Sequence, residues 1–381
     1  VTATGPEGDD ESLVDITPGA DLEGTPRTKL FLKVGVRITI VVLALSLAVF
    51  ALANIFGDLD VDQIRDALNR LEDAEWLALG FGWLAWIGAQ GLQTASLVDK
   101  LPARRGVLAY LGPSAVASVI PGPSDLPVRY SMYQSWGVSS REAATAVAAS
   151  GIFSVGSQLA LPALAGIFIV FGDVKVEGFG ALIVIATLIL AVAIVVFAFA
   201  LGSPRRTKRL GELLDPVMRL GYRMIRREPP EENFGQTLVT QRNLAFDHLR
   251  GKWLSATGAT ILTVATKCAL LIMALRFVGI PEGDLGWSAI FVVFALVAGL
   301  TVIPITPGSV GVTEVALVGL LTPLAGTEFV NEIAAGVLLY RLLTWLLIIP
   351  VGFGVLGVWR INTRQKDDAD AESAEPTPVA E

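Results

Sequence analysis

Thr301–Glu314 reads TVIPITPGSVGVTE, with Pro304, Pro307, Gly308 and Gly311 ahead of one carboxylate, Glu314. It closes an uncharged run that begins after Asp284. In a bilayer each unpaired backbone N–H or C=O is costly, so a helix is broken at that depth only where protein or a water-filled cavity covers the break. A broken helix therefore marks a site. Working upstream, Gly106–Ser124 is equally free of charge and carries Gly112, Pro113, Pro121, Gly122 and Pro123, followed by Asp125, Pro127 and Arg129. A helix-interior proline costs about 3 kcal/mol. Prolines at 121, 123 and 127 thus predict a second break.

The surrounding composition is that of a membrane protein: 53% hydrophobic, 17% charged, mean hydropathy +0.61. Several uncharged runs exceed the roughly 18 residues that mark a spanning helix. The net charge of −7 belongs to the ends. Residues 1–26 hold seven acids and no Lys or Arg, and residues 365–381 hold six acids against Lys366, which leaves the remainder at +5. Both ends are poor in large apolar residues and are expected to be disordered, over 1–33 and 361–381. One cysteine, Cys268, excludes an intrachain disulfide, and one histidine, His248, argues against a zinc site; no metal and no cofactor are expected. No G-x-x-x-x-G-K-[ST] loop is present, so ATP hydrolysis is not expected either.

Charge sets the expected topology. Lys29, Lys33 and Arg37 precede the first apolar run, Ile38–Phe56, and place the N-terminus in the cytoplasm by the positive-inside rule; the run is long enough to remain as an anchor rather than be cleaved as a signal peptide. The acidic segment Gly57–Glu75 is then external, with Leu59, Ile64, Leu68 and Leu71 predicting a short amphipathic helix on the outer surface, so that 34–75 forms one unit. Trp76–Val98 returns inward to Lys100, Arg104 and Arg105. Gly106–Trp136 enters and leaves from that side, Ala143–Gly172 crosses outward, and 179–202 crosses back, completing a unit over 76–202. A basic segment, 203–252, follows, with eleven Lys or Arg against six acids; Leu210, Leu213, Leu214, Val217 and Met224 form an apolar face among its arginines, which predicts a helix on anionic lipid. Trp253–Gly279 crosses outward, Trp287–Gly326 is a second interrupted hairpin entered from outside, and Ile333–Trp359 crosses inward to Arg360 and Arg364, completing 253–360.

The two interrupted hairpins share letters. Ser118–Pro123 reads SVIPGP and Thr301–Pro307 reads TVIPITP, with the VIP triplets 183 residues apart; downstream, Glu142 opens EAATAVAASGIF and Glu332 opens EIAAGVLLYRLL, 190 apart. With hairpin ends on opposite sides, the expected fold is an all-α polytopic membrane protein with an inverted-topology internal repeat, about six full spans and two re-entrant broken-helix hairpins whose tips are Pro121, Gly122 and Pro123, and Pro304, Pro307, Gly308 and Gly311. Inverted repeats of broken helices recur in secondary transporters, where half-helix ends meet the substrate at midplane. A half-helix N-terminus suits a phosphate or carboxylate.

At these residues the chain resembles the membrane domain of lysylphosphatidylglycerol synthases and its stand-alone, flippase-like relatives. The resemblance rests on IPITPGSVGVTE at 303–314, on LLYRLLTWLLIIPVG at 338–352 and on PGPSDLPVRYSMYQSWGVS at 121–139, and covers about Val34–Arg360. It implies movement of a lipid between leaflets. Where the family's first half usually has Gly-Glu three residues before its Arg, this chain has Ser124, Asp125 and Leu126. No aminoacyl-transfer domain accompanies the membrane part in this sequence, so lysine transfer is not expected.

Intramembrane charges are costly and are normally paired or turned to a cavity. Arg129, Lys267 and Arg341 are therefore the expected receivers of the lipid phosphate, with Asp125 and Glu314 neutralising them in its absence or carrying a coupling proton; a purely structural Glu314–Arg341 pair is the alternative. Arg276 is expected to snorkel to the outer interface. No catalytic residue is assigned. A transferase acting on a lipid carrier would want a histidine or an activated nucleophile, and a non-transporting scaffold for envelope enzymes is the other class. The expected partners are an anionic phospholipid or lipid-linked phosphate and the membrane, with a homo-oligomer or envelope-biosynthesis enzymes as further candidates and no nucleic acid. The Ala- and Gly-rich, Arg-over-Lys composition points to the inner membrane of a high-GC bacterium, with both termini cytoplasmic.

Overall fold

The computed structural model describes residues 61–120, 124–171, 192, 199, 202–224, 233–248, 251–302 and 306–374, all within the compact unit Ala44–Glu381. Among these residues the protein is all-helical. The first two helices are α1 (Val61–Asn69) and α2 (Asp73–Ser96), followed by α3 (Ala103–Val119), α4 (Asp125–Ser135) and α5 (Ser140–Phe171). Next come α6 (Pro204–Met224), α7 (Phe234–His248), α8 (Trp253–Phe277), α9 (Trp287–Leu300) and α10 (Val312–Ala325), and the chain ends in α11 (Val330–Arg341), a π-helical turn over Leu342–Leu346, and α12 (Ile348–Ala374). Among the described residues, three stretches are long and apolar enough to cross a membrane: Ser140–Gly166, Trp253–Phe277 and Thr327–Thr363. The protein is a polytopic membrane protein. Of the other expected spans, Trp76–Val98 corresponds to α2, whereas Ile38–Phe56 and, apart from Val192, Phe199 and Gly202, 179–202 lie outside the described residues; of the end segments, 1–33 and 375–381 lie outside them as well, while 361–374 continues α12.

The elements follow from local chemistry. Glu72 and Glu75 form a capping box on α2, with the Glu72 N–H donating to Glu75 Oε2 at 2.9 Å, and the acids oppose the positive end of the helix dipole. Leu77, Phe81, Leu84 and Leu92 stand exposed along α2 while Leu79, Trp86 and Ile87 are buried, the division expected of a helix with hydrocarbon on one side and protein on the other.

Helices α2 and α8 lie side by side; α3 packs on α2 and on α12, and α9 packs on α5. Small residues permit the closest of these approaches, as membrane helix pairs require. A Cβ on Gly106 of α3 would collide with the Gly91 carbonyl of α2, and one on Gly352 of α12 would collide with the Leu111 carbonyl of α3. The α9–α5 contact is aromatic, with Phe168 5.1 Å from Phe291 and 5.9 Å from Trp287, centroid to centroid.

The π turn has a local partner. Leu347 N–H donates to Leu342 O at 2.8 Å, one residue beyond the α-helical acceptor, which leaves Leu343 O free of that bond; the indole N–H of Trp83, on α2, donates to it at 2.9 Å. A backbone group released inside a membrane helix is thereby satisfied by a neighbouring helix.

One expectation needs correction. The amphipathic helix of the 57–75 segment exists as α1, but it does not lie on a lipid surface. Ala67 and Leu71 are buried, Ile64 and Leu68 pack on the main core, and α1 docks on α11, with Asn331 Nδ2 donating to Gln63 Oε1 at 2.9 Å. Arg276 donates to the carbonyls of Ile280 (3.1 Å), Pro281 (3.3 Å) and Leu285 (2.5 Å), closing the turn after α8 at the end of the helix where it was expected. The basic segment folds back on itself as the α6–α7 pair, with α7 against α5. Leu213 is 74% exposed on α6, whereas Val217 and Met224 lie outside the residues whose side chains are described.

Two substitutions test this packing. Gly106→Leu should lower stability by about 1–3 kcal/mol through overpacking of α2 on α3, and Trp83→Phe by about 1–3 kcal/mol through the orphaned Leu343 carbonyl. Thermal unfolding of the detergent-purified protein reads both.

Candidate functional site

The second break lies between α9 and α10. Gly308 (φ 60°), Ser309 (φ 55°) and Gly311 (φ 84°) all occupy left-handed conformations, which glycine adopts without a steric penalty and serine rarely does. A Cβ on Gly308 would fall inside the indole ring of Trp345, from the π turn, so only glycine fits there. The tip residues Pro121, Gly122, Pro123 and Pro304 lie outside the described residues; Pro307 begins a single 3₁₀ turn over Pro307–Ser309.

Glu314 is the third residue of α10, 4% exposed, and holds the break from within. Its Oε2 accepts from the Gly311 N–H at 2.7 Å, and its Oε1 pairs with Arg341 Nε at 2.5 Å. Arg341 in turn donates through Nη2 to the Gly308 carbonyl at 2.8 Å. A carboxylate at a helix N-terminus and a guanidinium on the following helix therefore bind both sides of the interruption, using the charge-assisted bonds that are strongest away from water. The Arg341 guanidinium also lies 5.5 Å from the ring centre of Trp345.

At the start of α4, Asp125 pairs with Arg129 one helical turn on, at 3.2 Å. Arg129 Nη1 donates to Ser150 Oγ of α5 at 2.8 Å, while its Nε is buried without a hydrogen-bond partner. Lys267, midway along α8, has no ion pair among the described residues; its Nζ sits 5.8 Å from the ring centre of Trp86.

A cavity of about 410 Å³ brings these together, with Arg129, Lys267 and Arg341 all in its wall. Asp125 and Glu314 stand behind their partners and do not line it. The hairpin break contributes Thr301, Gly308 and Ser309. The rest of the wall is mixed: hydroxyls and amides from Gln90, Gln93 and Thr94 on α2, Ser150, Ser154, Ser157 and Gln158 on α5, and Thr260 and Thr263 on α8 alternate with apolar side chains such as Leu97, Leu161, Val264, Phe294, Val297 and Leu317. Thr263 Oγ1 and Trp345 Nε1, both in the wall, are buried without hydrogen-bond partners. Donors left unsatisfied in a buried wall are costly, and a ligand oxygen is one way to meet them. The arrangement suits an anion carrying oxygens.

Sequence reasoning named the charges and missed this neutral lining. Its signal was present: Ser150, Ser154, Ser157 and Gln158 recur at helical spacing along an otherwise apolar span, which puts them on one face. Nothing in the letters marked Trp345 as a wall residue, since its position depends on the π turn.

No curated protein matches the chain. The family model described as the lysylphosphatidylglycerol synthase transmembrane region matches residues 38–352, a span that holds the three cations, the break between α9 and α10 and the whole cavity wall, and on that match the chain belongs to this family.

Proposed function

We propose that this protein is a lipid translocase that carries an anionic phospholipid or phosphate-linked lipid between leaflets through the cavity, without itself catalysing a reaction on it. The observation that carries the reading is the convergence of Arg129, Lys267 and Arg341, from three different helices, on one polar cavity inside an apolar helical bundle. Charges within a membrane bundle are retained where they serve a pathway or a pair. Here two are paired, and all three face the same space.

The mechanism works through competition. A phosphate oxygen entering the cavity draws on the donors of Arg341 and Arg129, and Glu314 and Asp125 hold those cations while the cavity has no anion in it. Breaking the Arg341 clamp loosens both sides of the hairpin interruption, because the same guanidinium holds Glu314 and the Gly308 carbonyl. The head group crosses in the polar cavity while the acyl chains stay in the bilayer.

Several features support an inverted-topology repeat with two re-entrant hairpins as the scaffold. The arms α9 and α10 have 14 residues each, or about 21 Å of helix against a hydrocarbon core of about 30 Å. The reciprocal packing of α3 on α12 and α9 on α5 is the pattern that a two-fold related pair produces. Basic residues flank the first hairpin (Lys100, Arg104, Arg105) and acidic ones flank the second (Glu282, Asp284, Glu328), which supports open ends on opposite sides and, in the plasma membrane of a bacterium, cytoplasmic termini.

Two measurements test the reading. In liposomes with a fluorescent phospholipid, Glu314→Gln and the neutral double variant Glu314→Gln with Arg341→Gln should slow translocation at least about tenfold, the equivalent of 1.4 kcal/mol in barrier, while melting temperatures show that the double variant is folded. Folded variants that move lipid at the unmodified rate would sink the transport role. For topology, Ala103→Cys and Gly283→Cys, both at exposed positions, should react with a membrane-impermeant maleimide from opposite faces of oriented vesicles; labelling from the same face overturns the inverted repeat.

A further inference from the structure

Another basic pocket forms where the start of α3, the end of α4 and α12 meet. Its volume is about 510 Å³, and it takes Arg104, Arg105 and Leu108 from α3, Ser135 and Trp136 from the end of α4, and Asn362 from α12. It shares no lining residue with the cavity of Arg129, Lys267 and Arg341. Neither Arg104 nor Arg105 has a carboxylate partner or a side-chain hydrogen bond among the described residues, and no acid lines the pocket. The carboxylates that flank the α3–α4 segment, Asp99 and Glu142, are engaged elsewhere: Asp99 pairs with Lys252 at 2.7 Å, and Glu142 accepts from the Asp99 N–H at 2.8 Å.

The two cations are also held in place. Tyr133, fully buried, meets the Trp136 ring edge-on with 6.4 Å between ring centres, and the Arg105 guanidinium lies 5.6 Å from the centre of the Trp136 ring. Such a contact occupies the face of a guanidinium and leaves its N–H edges for an anion. Ser135 Oγ accepts from the Trp359 indole N–H at 2.8 Å and donates to the Met132 carbonyl, which ties the end of α4 to α12. Val358 and Ile361, 61% and 58% exposed, share a face of α12 with Asn362 and give the pocket an apolar flank. Two free guanidiniums beside indoles and exposed aliphatic side chains are the composition of a site at head-group level. We infer that this pocket binds the phosphate of an anionic phospholipid, with Arg104 and Arg105 as its donors, at a place separate from the cavity. Such binding requires no transport through the cavity. A free phosphate offers the same oxyanion, but it gains nothing from Val358 and Ile361, so the flank favours the lipid.

Photo-crosslinking of the detergent-purified full chain with phosphatidylglycerol carrying a diazirine on its head group tests this. Labelled peptides should cover 104–108, 135–137 or 362. Unlabelled phosphatidylglycerol should compete about tenfold better than phosphatidylcholine or inorganic phosphate, the worth of roughly one charge-assisted hydrogen bond. Arg104→Gln with Arg105→Gln should lower labelling there by a similar factor. Arg141→Gln with Arg205→Gln, which removes two exposed arginines outside the pocket, should leave it unchanged. Labelling confined to the cavity wall, equal competition by phosphatidylcholine, full labelling in the Arg104 and Arg105 double variant, or an equal loss in the control pair overturns the assignment. Displacement by inorganic phosphate as effective as by the lipid makes the pocket a soluble-anion site and overturns it too. The label map and competition series of the unmodified protein decide the matter even where a substituted chain does not fold.

Discussion

Arg341 is the residue on which the second half of the molecule closes. A helix interrupted within a membrane exposes N–H groups at one end and carbonyls at the other, and each must be met from inside the protein. Here the Glu314 carboxylate meets the Gly311 N–H, and the Arg341 guanidinium takes both the other carboxylate oxygen and the Gly308 carbonyl. One ion pair therefore stabilises the break, ties α10 to α11 and leaves a cation at the edge of a cavity. The geometry that seals the backbone is also what places the Arg341 charge at the cavity wall.

The first half reaches a similar end by a different route. Asp125 and Arg129 are neighbours on one helix, and the contact between helices is the bond from Arg129 to Ser150. The guanidinium is held less completely than that of Arg341, with its Nε unmet. The cavity then owes its shape to packing. Glycines at 91, 106 and 352 let α3 press between α2 and α12, and the π turn after Arg341 swings Trp345 over Gly308. Insertion of one extra residue into a helical turn rotates all that follows it, which is why such turns recur where side chains must be re-aimed.

Much of this was legible in the letters. The apolar runs, the prolines and glycines of 301–314 and the five intramembrane charges were readable because the bilayer penalises polar groups so heavily that each exception stands out. The short arms α9 and α10 fall within the 287–326 hairpin read from sequence. Where reading misled, a tertiary partner had intervened. The apolar face of α1 looked ready for lipid and found α11.

By itself, the sequence determined that the chain lives in a membrane, where its helices break and which charges have to be accounted for, because those follow from the energy of placing a given residue type in hydrocarbon. Only the tertiary structure decided which carboxylate answers which guanidinium, that three cations from distant helices share one space, and that Lys267 is the one among them without a partner among the described residues. Pairing is a matter of distance, and distance between helices is set by the close approach of small residues and the rotation of a single turn, neither of which has a signature in composition or period.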